Sequence, residues 1–371
     1  MNHDPWHCTQ QFIDATSAAT ALAGQLAERN LRSWLRPAPS LACQEPYQGA
    51  TPFEVIYRFD RMRVLKFQGR SATQPAMPLL MVPSLINRSY VLDLMEGSSL
   101  IAHLVQHQHP TYLLDWGTPG PQHDHLSFGF YVDELMALAT AAVRRDAQTE
   151  QVDLLGYCMG GTMALLHAAL HPQQIGRLTL LATPINFHDE GVLSRWASTP
   201  DFDVDRVVDT LGRMDSLMLQ SSFLFLKPLS TYQKYKGLYE AANNPRFTES
   251  FIKLERWLND NVSVPGECYR EYVRVCYQEN RLVEGGLVLN GKAVDLRQVT
   301  GPLLNVIALK DHIVPPDSSR IVARLVGGPV REVLIDAGHI GIAMGSKARQ
   351  MFETVQRFHA EGPTTILTTD N

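Results

Sequence analysis

The segment Val152-Asp-Leu-Leu-Gly156-Tyr-Cys158-Met-Gly160-Gly161 decides the fold, because it joins a short apolar run to a cysteine flanked by glycines. The apolar run is typical of a strand buried within a sheet, and residues 162–170 have the pattern of a helix. The chain must turn sharply between the two, and Gly156 and Gly160 avoid the clash that side chains would cause there. The segment therefore predicts a nucleophile, Cys158, held on a strained turn from strand to helix.

Alternating strands and helices extend on both sides of this turn. Further apolar runs typical of buried strands lie at residues 78–83, 111–116, 178–182, 303–307 and 331–335. Such alternation predicts a mostly parallel sheet covered by helices on both faces. Together with the nucleophile turn, it predicts the α/β-hydrolase fold.

The alternation stops between residues 184 and 299, where helical patterns and aromatic residues dominate. We therefore expect four segments, namely an N-terminal helical segment (1–50), the first part of the core (51–183), an inserted helical cap (184–299), and the second part of the core with a tail (300–371). Thr51-Pro52, followed by Glu54, predicts the start of a helix, because proline suits the first helical turn.

Composition and charge argue against several classes of function. The chain of 371 residues has a net charge of −5 and no basic block, so we expect no nucleic-acid partner. No apolar run approaches the roughly 18 residues of a membrane span, and the polar N-terminus is unlike a secretory signal. The five cysteines include no CxxC pair, so we expect neither disulfides nor a metal site. These features favour a cytoplasmic protein.

The nucleophile needs an acid and a base, and in this fold they follow it in the order acid, histidine. Asp311 comes just after an apolar run that ends near residue 309, and His339 lies between glycines after the last apolar run. Both fall at carboxyl ends of predicted strands, where α/β sheets place their active sites. We therefore predict a catalytic triad of Cys158, Asp311 and His339.

Two neighbouring residues compete for these roles. Asp336 lies only three residues before His339, and His312 directly follows Asp311. We favour Asp311 over Asp336 because it comes from a separate strand end, which suits an acid that orients the base. We expect His312 to support its loop, with contact to the site as an alternative.

An acyl-transfer site also needs backbone N–H groups that stabilise the developing oxyanion. One is predicted to belong to Met159, at the start of the helix that follows Cys158. The second should come from the loop after Pro83, and the sequence leaves open whether Leu85 or Ile86 provides it.

A cysteine in place of serine indicates the kind of acyl transfer. A thiol that attacks a thioester forms another thioester of similar energy, so the acyl group can be passed on again. A serine ester lies lower in energy and would retain the acyl group. Cys158 therefore favours repeated transfer from thioester donors, although some hydrolases use cysteine in the same turn.

Taken together, the chain resembles the catalytic subunit of the class III and class IV polyhydroxyalkanoate synthases. The similarity spans roughly residues 51–358 and includes the cap. The matching segments include Pro83-Ser-Leu-Ile-Asn87, Leu113-Leu-Asp115-Trp116-Gly117, Leu154-Leu-Gly156-Tyr-Cys158-Met-Gly160-Gly161, Pro265-Gly266-Glu267, Asp311-His312-Ile-Val-Pro315 and Gly338-His339-Ile-Gly341.

The resemblance implies an acyltransferase that polymerises 3-hydroxyacyl-CoA, such as 3-hydroxybutyryl-CoA, into polyester and releases CoA. By position, Cys158 would bear the acyl group, His339 would be the general base and Asp311 its partner. The family implies no metal or redox cofactor, and it implies a second synthase subunit in a homodimer or hetero-oligomer. It also implies a location at the surface of cytoplasmic polyester granules. Acyl chain length and the choice between class III and class IV stay open.

Two positions depart from the family pattern. Gly129-Phe130 replaces a frequent acidic pair, and Asn186 replaces a frequent aspartate, but neither belongs to the predicted triad. Two other functions remain as alternatives, namely a cysteine-dependent hydrolase of lactones or thioesters and an inactive relative that coats polyester granules. Aromatic residues clustered in the cap favour a partner surface: Phe223, Phe225, Tyr232, Tyr235 and Tyr239.

Overall fold

In the computed structural model, residues 48–67, 76–199, 201–225 and 244–360 are described. The chain divides into two compact units, Met1–Glu45 and Pro46–Asn371, and the described residues all belong to the second. Nearly all of the predicted N-terminal helical segment (1–50) thus lies outside the described residues. The same holds for the clustered aromatic side chains that favoured a partner surface, namely Phe223, Phe225, Tyr232, Tyr235 and Tyr239.

A central sheet of eight strands organises the described part of the chain. The described strands, eight in this sheet and six in three short pairs, are β1 (Phe53–Phe59), β2 (Met62–Phe67), β3 (Leu79–Val82), β4 (Asp93–Met95), β5 (Ser98–Ser99), β6 (Thr111–Asp115), β7 (Val152–Tyr157), β8 (Ile175–Leu181), β9 (Arg213–Met214), β10 (Val264–Pro265), β11 (Val288–Leu289), β12 (Lys292–Ala293), β13 (Leu303–Ala308) and β14 (Val330–Ile335). The sheet order is β1-β2-β6-β3-β7-β8-β13-β14. Neighbours from β6 to β14 pair in parallel, and β1 and β2 add antiparallel pairs at one edge. The mostly parallel sheet predicted from the sequence is confirmed.

Helices cover the sheet and build the segment between β8 and β13. They are α1 (Leu100–Gln106), α2 (Met136–Ala147), α3 (Met159–Leu170), α4 (Val192–Ala197), α5 (Val204–Leu211), α6 (Ser216–Phe225), α7 (Pro245–Leu258), α8 (Gly266–Tyr272), α9 (Arg281–Glu284), α10 (Pro316–Arg320), α11 (Gly341–Met344) and α12 (Ala348–Ala360). Two segments are π-helical, Phe130–Leu135 before α2 and Val273–Gln278 after α8. None of the described helices has the length and apolar character that crossing a membrane requires.

Apolar side chains form a core on each face of the sheet. Leu154 belongs to the core that contains residues of α2 and α3, whereas its neighbour Leu155 belongs to the core that contains residues of α1 and α12. Every residue of β7 is buried. A parallel strand that is covered on both faces must be apolar on both, which explains the continuous apolar run before Cys158.

The segment from residue 184 to 299 forms a cap that is tied to the loop after β3. Among its described residues, none belongs to a strand of the central sheet. The Trp257 indole N–H donates a hydrogen bond to the Arg88 carbonyl at 2.8 Å, and the Tyr90 hydroxyl donates to Asp260 at 2.9 Å. Arg88 also forms an ion pair with Asp260 at 3.1 Å. These contacts hold the loop after β3, which was predicted to contribute to the oxyanion hole, against the end of α7.

One local prediction differs from the structure. Thr51-Pro52 precedes strand β1 instead of starting a helix, because the Thr51 N–H and hydroxyl bond to the buried Asp93 carboxylate at 2.9 and 2.7 Å. This difference depends on a contact with a residue 42 positions away, which local sequence preferences do not reveal.

A buried polar network joins α12 to the end of the sheet opposite Cys158. One ring nitrogen of His359 donates to the Asp153 carboxylate at 2.8 Å, and the other contacts the Thr179 hydroxyl at 2.9 Å. The second Asp153 oxygen accepts the Arg177 N–H at 2.8 Å. His359, Asp153 and Thr179 are all buried. A buried carboxylate that loses its partner is costly, so this network should fix α12 on the sheet.

We predict that His359→Ala lowers the free energy of unfolding by about 3–5 kcal/mol, because it leaves the Asp153 carboxylate without its side-chain partner. The control is Arg357→Ala on the exposed side of the same helix, with an expected change within about 0.5 kcal/mol. Urea unfolding followed by circular dichroism measures both. Equal stability of the two variants would show that the network does not hold α12.

Candidate active site

Cys158 occupies the turn between β7 and α3 in a strained conformation. Its φ of 56° and ψ of −129° are unfavourable for a residue with a side chain. The Cys158 N–H donates to the Leu181 carbonyl of the neighbouring strand at 3.0 Å, and the Cys158 carbonyl accepts the Gly161 N–H at 2.8 Å. Both backbone groups are thus fixed, and the thiol is presented at the N-terminus of α3.

The turn is possible because the glycines around Cys158 let backbones approach closely. A Cβ atom on Gly156 would clash with the Cα of Gly161, and one on Gly160 would clash with the backbone of Val82 and Pro83. The contact of Gly160 with Val82 brings the turn against the end of β3, where the predicted oxyanion loop starts. Gly161 directly follows the nucleophile turn (residues 156–160), and a side chain at Gly161 would clash with Thr183.

The structure brings His339 and Asp311 together at the carboxyl ends of β14 and β13. The His339 Nδ1 donates to the Asp311 Oδ2 at 2.6 Å. The other Asp311 oxygen accepts the N–H groups of Ile313 and Val314, each at 2.9 Å. The Asp311 side chain is fully buried and that of His339 nearly so. The carboxylate is therefore held in place to fix the tautomer and orientation of the imidazole.

The alternative acid, Asp336, points away from this arrangement. Its carboxylate pairs with Lys310 at 2.8 Å, and both side chains are exposed. His312 is also exposed, although the adjoining Ile313 and Val314 line the same cavity as Cys158. Asp311, at the end of β13, is thus the carboxylate that is hydrogen-bonded to His339. The sequence analysis favoured it over Asp336 because it follows a different strand from His339.

The electrostatic surroundings of His339 strengthen its capacity to hold a proton. Burial alone lowers the pKa of His339, but the charges of Cys158 and Asp311 and hydrogen bonds to both raise that pKa to about 10. The proton that leaves the Cys158 thiol therefore has a favourable acceptor next to it. This arrangement suits a thiol nucleophile activated by an adjacent base.

Tyr157 supports His339 from the position just before the nucleophile. Its hydroxyl donates to the His339 carbonyl at 3.1 Å, and the two rings are stacked with centroids 5.4 Å apart. The sequence analysis missed this role. It could have been predicted from the alternation of side chains between the two faces of a strand. Tyr157 precedes Cys158 and is therefore expected on the opposite face of β7, towards the loop after β14.

The loop after β3 places Ile86 at the site and Leu85 in the core. Ile86 lines a cavity together with Cys158 and Met159, whereas Leu85 is buried in the core and does not line it. The Ile86 N–H has a long contact of 3.4 Å with the Ser84 hydroxyl. The Trp116 indole N–H donates to the Pro83 carbonyl at 3.0 Å and anchors the start of the loop. Of the two residues considered for the oxyanion hole, Ile86 thus lines the cavity and Leu85 does not.

A cavity of about 160 Å³ lies beside Cys158 and is lined by residues of the core and of the cap. Most of its lining is apolar, with Leu193, Phe202 and Leu219 from the cap and Val314 from the core. Such a cavity suits an apolar acyl chain. In the described ranges, no group of three or more His, Cys, Asp or Glu side chains is arranged to hold a metal ion.

Comparison with known families gives two matches. A family model described as the alpha/beta hydrolase fold matches residues 78–344, and one described as the N-terminus of poly-beta-hydroxybutyrate polymerase (PhaC) matches residues 48–104. The poly(3-hydroxyalkanoate) polymerase subunit PhaC of Haloferax mediterranei is 34% identical, with 96% of this chain and 70% of that protein covered. The protein of the same name from Allochromatium vinosum is 35% identical, with 81% of this chain and 86% of that protein covered.

Solved structures with the same fold are distant in sequence. A hydrolase from Pseudomonas aeruginosa superposes with a TM-score of 0.51 at 18% identity, covering 84% of this chain and 98% of that one. A mutant epoxide hydrolase from Bacillus megaterium superposes with a TM-score of 0.50 at 12% identity, covering 81% and 97%. These likenesses confirm the predicted α/β-hydrolase fold.

We predict that the pKa of His339 falls in Cys158→Ala, because the charge of Cys158 is a main cause of its rise. In the unaltered protein, a pKa of about 10 keeps the imidazole protonated throughout the neutral range while Cys158 is charged. NMR titration of isotope-labelled histidine side chains measures both proteins. Asp336→Asn is the matched control and should leave the titration unchanged. A His339 titration that is the same with and without the thiol would contradict the coupling.

Proposed function

The chain belongs to the poly(3-hydroxyalkanoate) polymerase family, and we propose on that premise that Cys158 carries the growing polyester while 3-hydroxyacyl-CoA supplies each new unit. The enzyme is an acyltransferase of the poly(3-hydroxyalkanoate) polymerase type. The observation that carries the proposal is the position of Cys158, beside His339 and its partner Asp311, at an apolar cavity.

In the first step, the Cys158 sulfur attacks the thioester carbonyl of 3-hydroxyacyl-CoA. His339 accepts the thiol proton, and Asp311 stabilises the imidazolium that results. The bond between the carbonyl carbon and the CoA sulfur then breaks, and the CoA sulfur leaves with the proton from His339. One thioester replaces another of similar energy, so the acyl group on Cys158 stays reactive.

In the second step, the 3-hydroxyl oxygen of an incoming 3-hydroxyacyl-CoA attacks the acyl carbonyl on Cys158. His339 removes the hydroxyl proton, an ester bond forms, and the Cys158 sulfur leaves and regains a proton. The lengthened chain is then bound to CoA, and a further thioester exchange returns it to Cys158 and releases CoA. Each cycle consumes a thioester and forms an ester, which gives the polymerisation its direction.

Both steps pass through an oxyanion that needs hydrogen-bond donors. We assign this role to the backbone N–H groups of Met159 and Ile86, because both residues line the cavity beside Cys158. Met159 starts α3, whose N-terminus carries a partial positive charge directed at the reacting carbonyl. Ile86 would exchange its long contact with Ser84 for the oxyanion.

We expect the cap to favour transfer of the acyl group over its hydrolysis. Its apolar residues line the cavity beside Cys158, and an apolar lining would limit the access of water to the acyl thioester. Among the described residues of the site, no feature favours the alternative of a lactone or thioester hydrolase. The likeness to solved hydrolases reflects the shared fold, since the identities are 12% and 18%.

The proposal also covers the assembly of the enzyme and its location in the cell. Several large apolar side chains of the cap are exposed, namely Trp196, Leu211, Met218 and Ile252. Exposed apolar surface of this kind suits contact with a partner protein or with polyester. We propose that a second synthase subunit binds the chain in a homodimer or hetero-oligomer, and that the enzyme works at the surface of cytoplasmic polyester granules. We also propose that it needs no metal or redox cofactor.

The function is tested by mixing the purified chain with 3-hydroxybutyryl-CoA and measuring both CoA release and polymer. We predict that Cys158→Ser lowers polymer formation by about 100-fold or more, because serine is a weaker nucleophile and holds the acyl group as a stable ester. Cys268→Ala is the matched control, since it removes a buried thiol that does not line the cavity.

Polymer from the unaltered chain and from Cys268→Ala, without polymer from Cys158→Ser, supports the proposal. CoA release that yields only free 3-hydroxybutyrate would instead assign the chain as a hydrolase. Adding candidate second subunits to the same assay tests assembly, and a lag that a true partner shortens is the expected result.

A further inference from the structure

Two tyrosines of the cap face the nucleophile from a π-helical turn. Tyr272 ends α8, and Tyr277 lies in the π-helical segment Val273–Gln278, five residues later. A π-helix repeats its hydrogen bonds at this spacing, so the two side chains share one side of the turn. Both line the cavity that contains Cys158.

The two rings are fixed by aromatic packing behind them. Phe187 contacts Tyr277 with ring centroids 4.8 Å apart and Tyr272 with centroids 5.9 Å apart. Phe128 supports Tyr272 from another side at 5.1 Å, and His188 donates to the Tyr277 carbonyl at 2.9 Å. The phenol groups are therefore held in place, as a recognition site for a substrate requires.

The two hydroxyls lie in the electrostatic field of Cys158. Burial is the main cause that raises the pKa of both phenols, and the charge of Cys158 raises both further. Both tyrosines therefore stay protonated and can donate hydrogen bonds. By contrast, burial alone raises the pKa of Tyr269, the third tyrosine in the cavity, to about 12.

The two phenols are neighbours in the cavity wall. Their rings meet edge to face with centroids 5.8 Å apart. A protonated phenol in this position can donate a hydrogen bond to a ligand in the cavity. Besides the three tyrosines, the described lining contains the hydroxyl of Ser222, which donates to the Met218 carbonyl at 2.9 Å.

We propose that the Tyr277 hydroxyl, which lies beside Tyr272 in the cavity wall, binds the oxygen at carbon 3 of the acyl group on Cys158 and thereby selects 3-hydroxyacyl thioesters. Carbon 3 lies two carbons beyond the reacting carbonyl, so its oxygen must project into the cavity beside Cys158. A site built around a buried hydroxyl rejects ligands that leave this hydroxyl unpaired. The proposal rests on the proposed function, in which Cys158 carries the acyl group.

A hydrogen-bond donor suits every stage of polymer growth. The oxygen function at carbon 3 is a hydroxyl on a newly bound unit and becomes an ester once the chain has grown. Only an acceptor is common to the two, and a protonated tyrosine pairs with either. The same hydroxyl can therefore hold the first unit and the last unit of a long chain in one position.

The test compares 3-hydroxybutyryl-CoA with butyryl-CoA, which lacks the oxygen at carbon 3. CoA release is measured in single turnovers with enzyme in excess, for the unaltered chain and for Tyr277→Phe, which keeps the ring. The unaltered chain should prefer the hydroxyacyl substrate. In Tyr277→Phe, this preference should fall by about 5- to 10-fold, because one hydrogen bond to the hydroxyacyl substrate is lost.

Two further variants sharpen the result. Tyr269→Phe makes the same chemical change in the same cavity and should leave the preference as it was. Tyr272→Phe should reduce the preference in the same direction as Tyr277→Phe, because it removes the neighbouring phenol hydroxyl from the same part of the cavity wall, and it serves as the second variant if Tyr277→Phe does not fold. Thermal unfolding checks that each variant is folded.

An unchanged preference in folded Tyr277→Phe would overturn the inference, and so would equal slowing with both substrates, which indicates packing alone. An unaltered chain that reacts equally well with both CoA esters would overturn it too. A chain that releases no CoA from 3-hydroxybutyryl-CoA would refute the proposed function itself, which distinguishes the two failures.

Discussion

The strained backbone at Cys158 is the constraint on which the rest of the site depends. Its positive φ is tolerated because the Cys158 N–H is tied to Leu181 and the flanking glycines admit neighbouring backbones. The turn places the thiol above the carboxyl edge of the sheet. Since β7, β8, β13 and β14 are consecutive neighbours in that sheet, the loops after β13 and β14 bring Asp311 and His339 to the same edge.

At this edge of the sheet, burial and the neighbouring charges shift the pKa of His339 in opposite directions. Burial disfavours a charged imidazole, yet Cys158 and Asp311 together outweigh it and keep the pKa of His339 high. The cavity beside Cys158 is lined mostly by apolar side chains, and the tyrosines provide polar groups among them. An apolar lining of this kind suits an acyl chain.

The nucleophile turn and the parallel sheet could be predicted from sequence because their signals are local: an apolar run, two spaced glycines and a following helix. Asp311 could be preferred over Asp336, but the outward pairing of Asp336 with Lys310 became visible only with side-chain positions. Thr51-Pro52 was misread because a distant contact with Asp93 decides that conformation. No role in the site was predicted for the cap residues Tyr272 and Tyr277, because a spacing of five matches no face of an α-helix. The second oxyanion donor stayed open because Leu85 and Ile86 are adjacent apolar residues, and the sequence does not show which of them faces the cavity.

The central claim is that Cys158 itself holds the polyester chain. The most direct measurement is intact-protein mass spectrometry after brief exposure to limiting 3-hydroxybutyryl-CoA, followed by peptide mapping under conditions that preserve thioesters. The account predicts a ladder of adducts spaced by one hydroxyacyl unit, all on the peptide that contains Cys158. Adducts confined to another residue, or polymer formed without any adduct on Cys158, would contradict it.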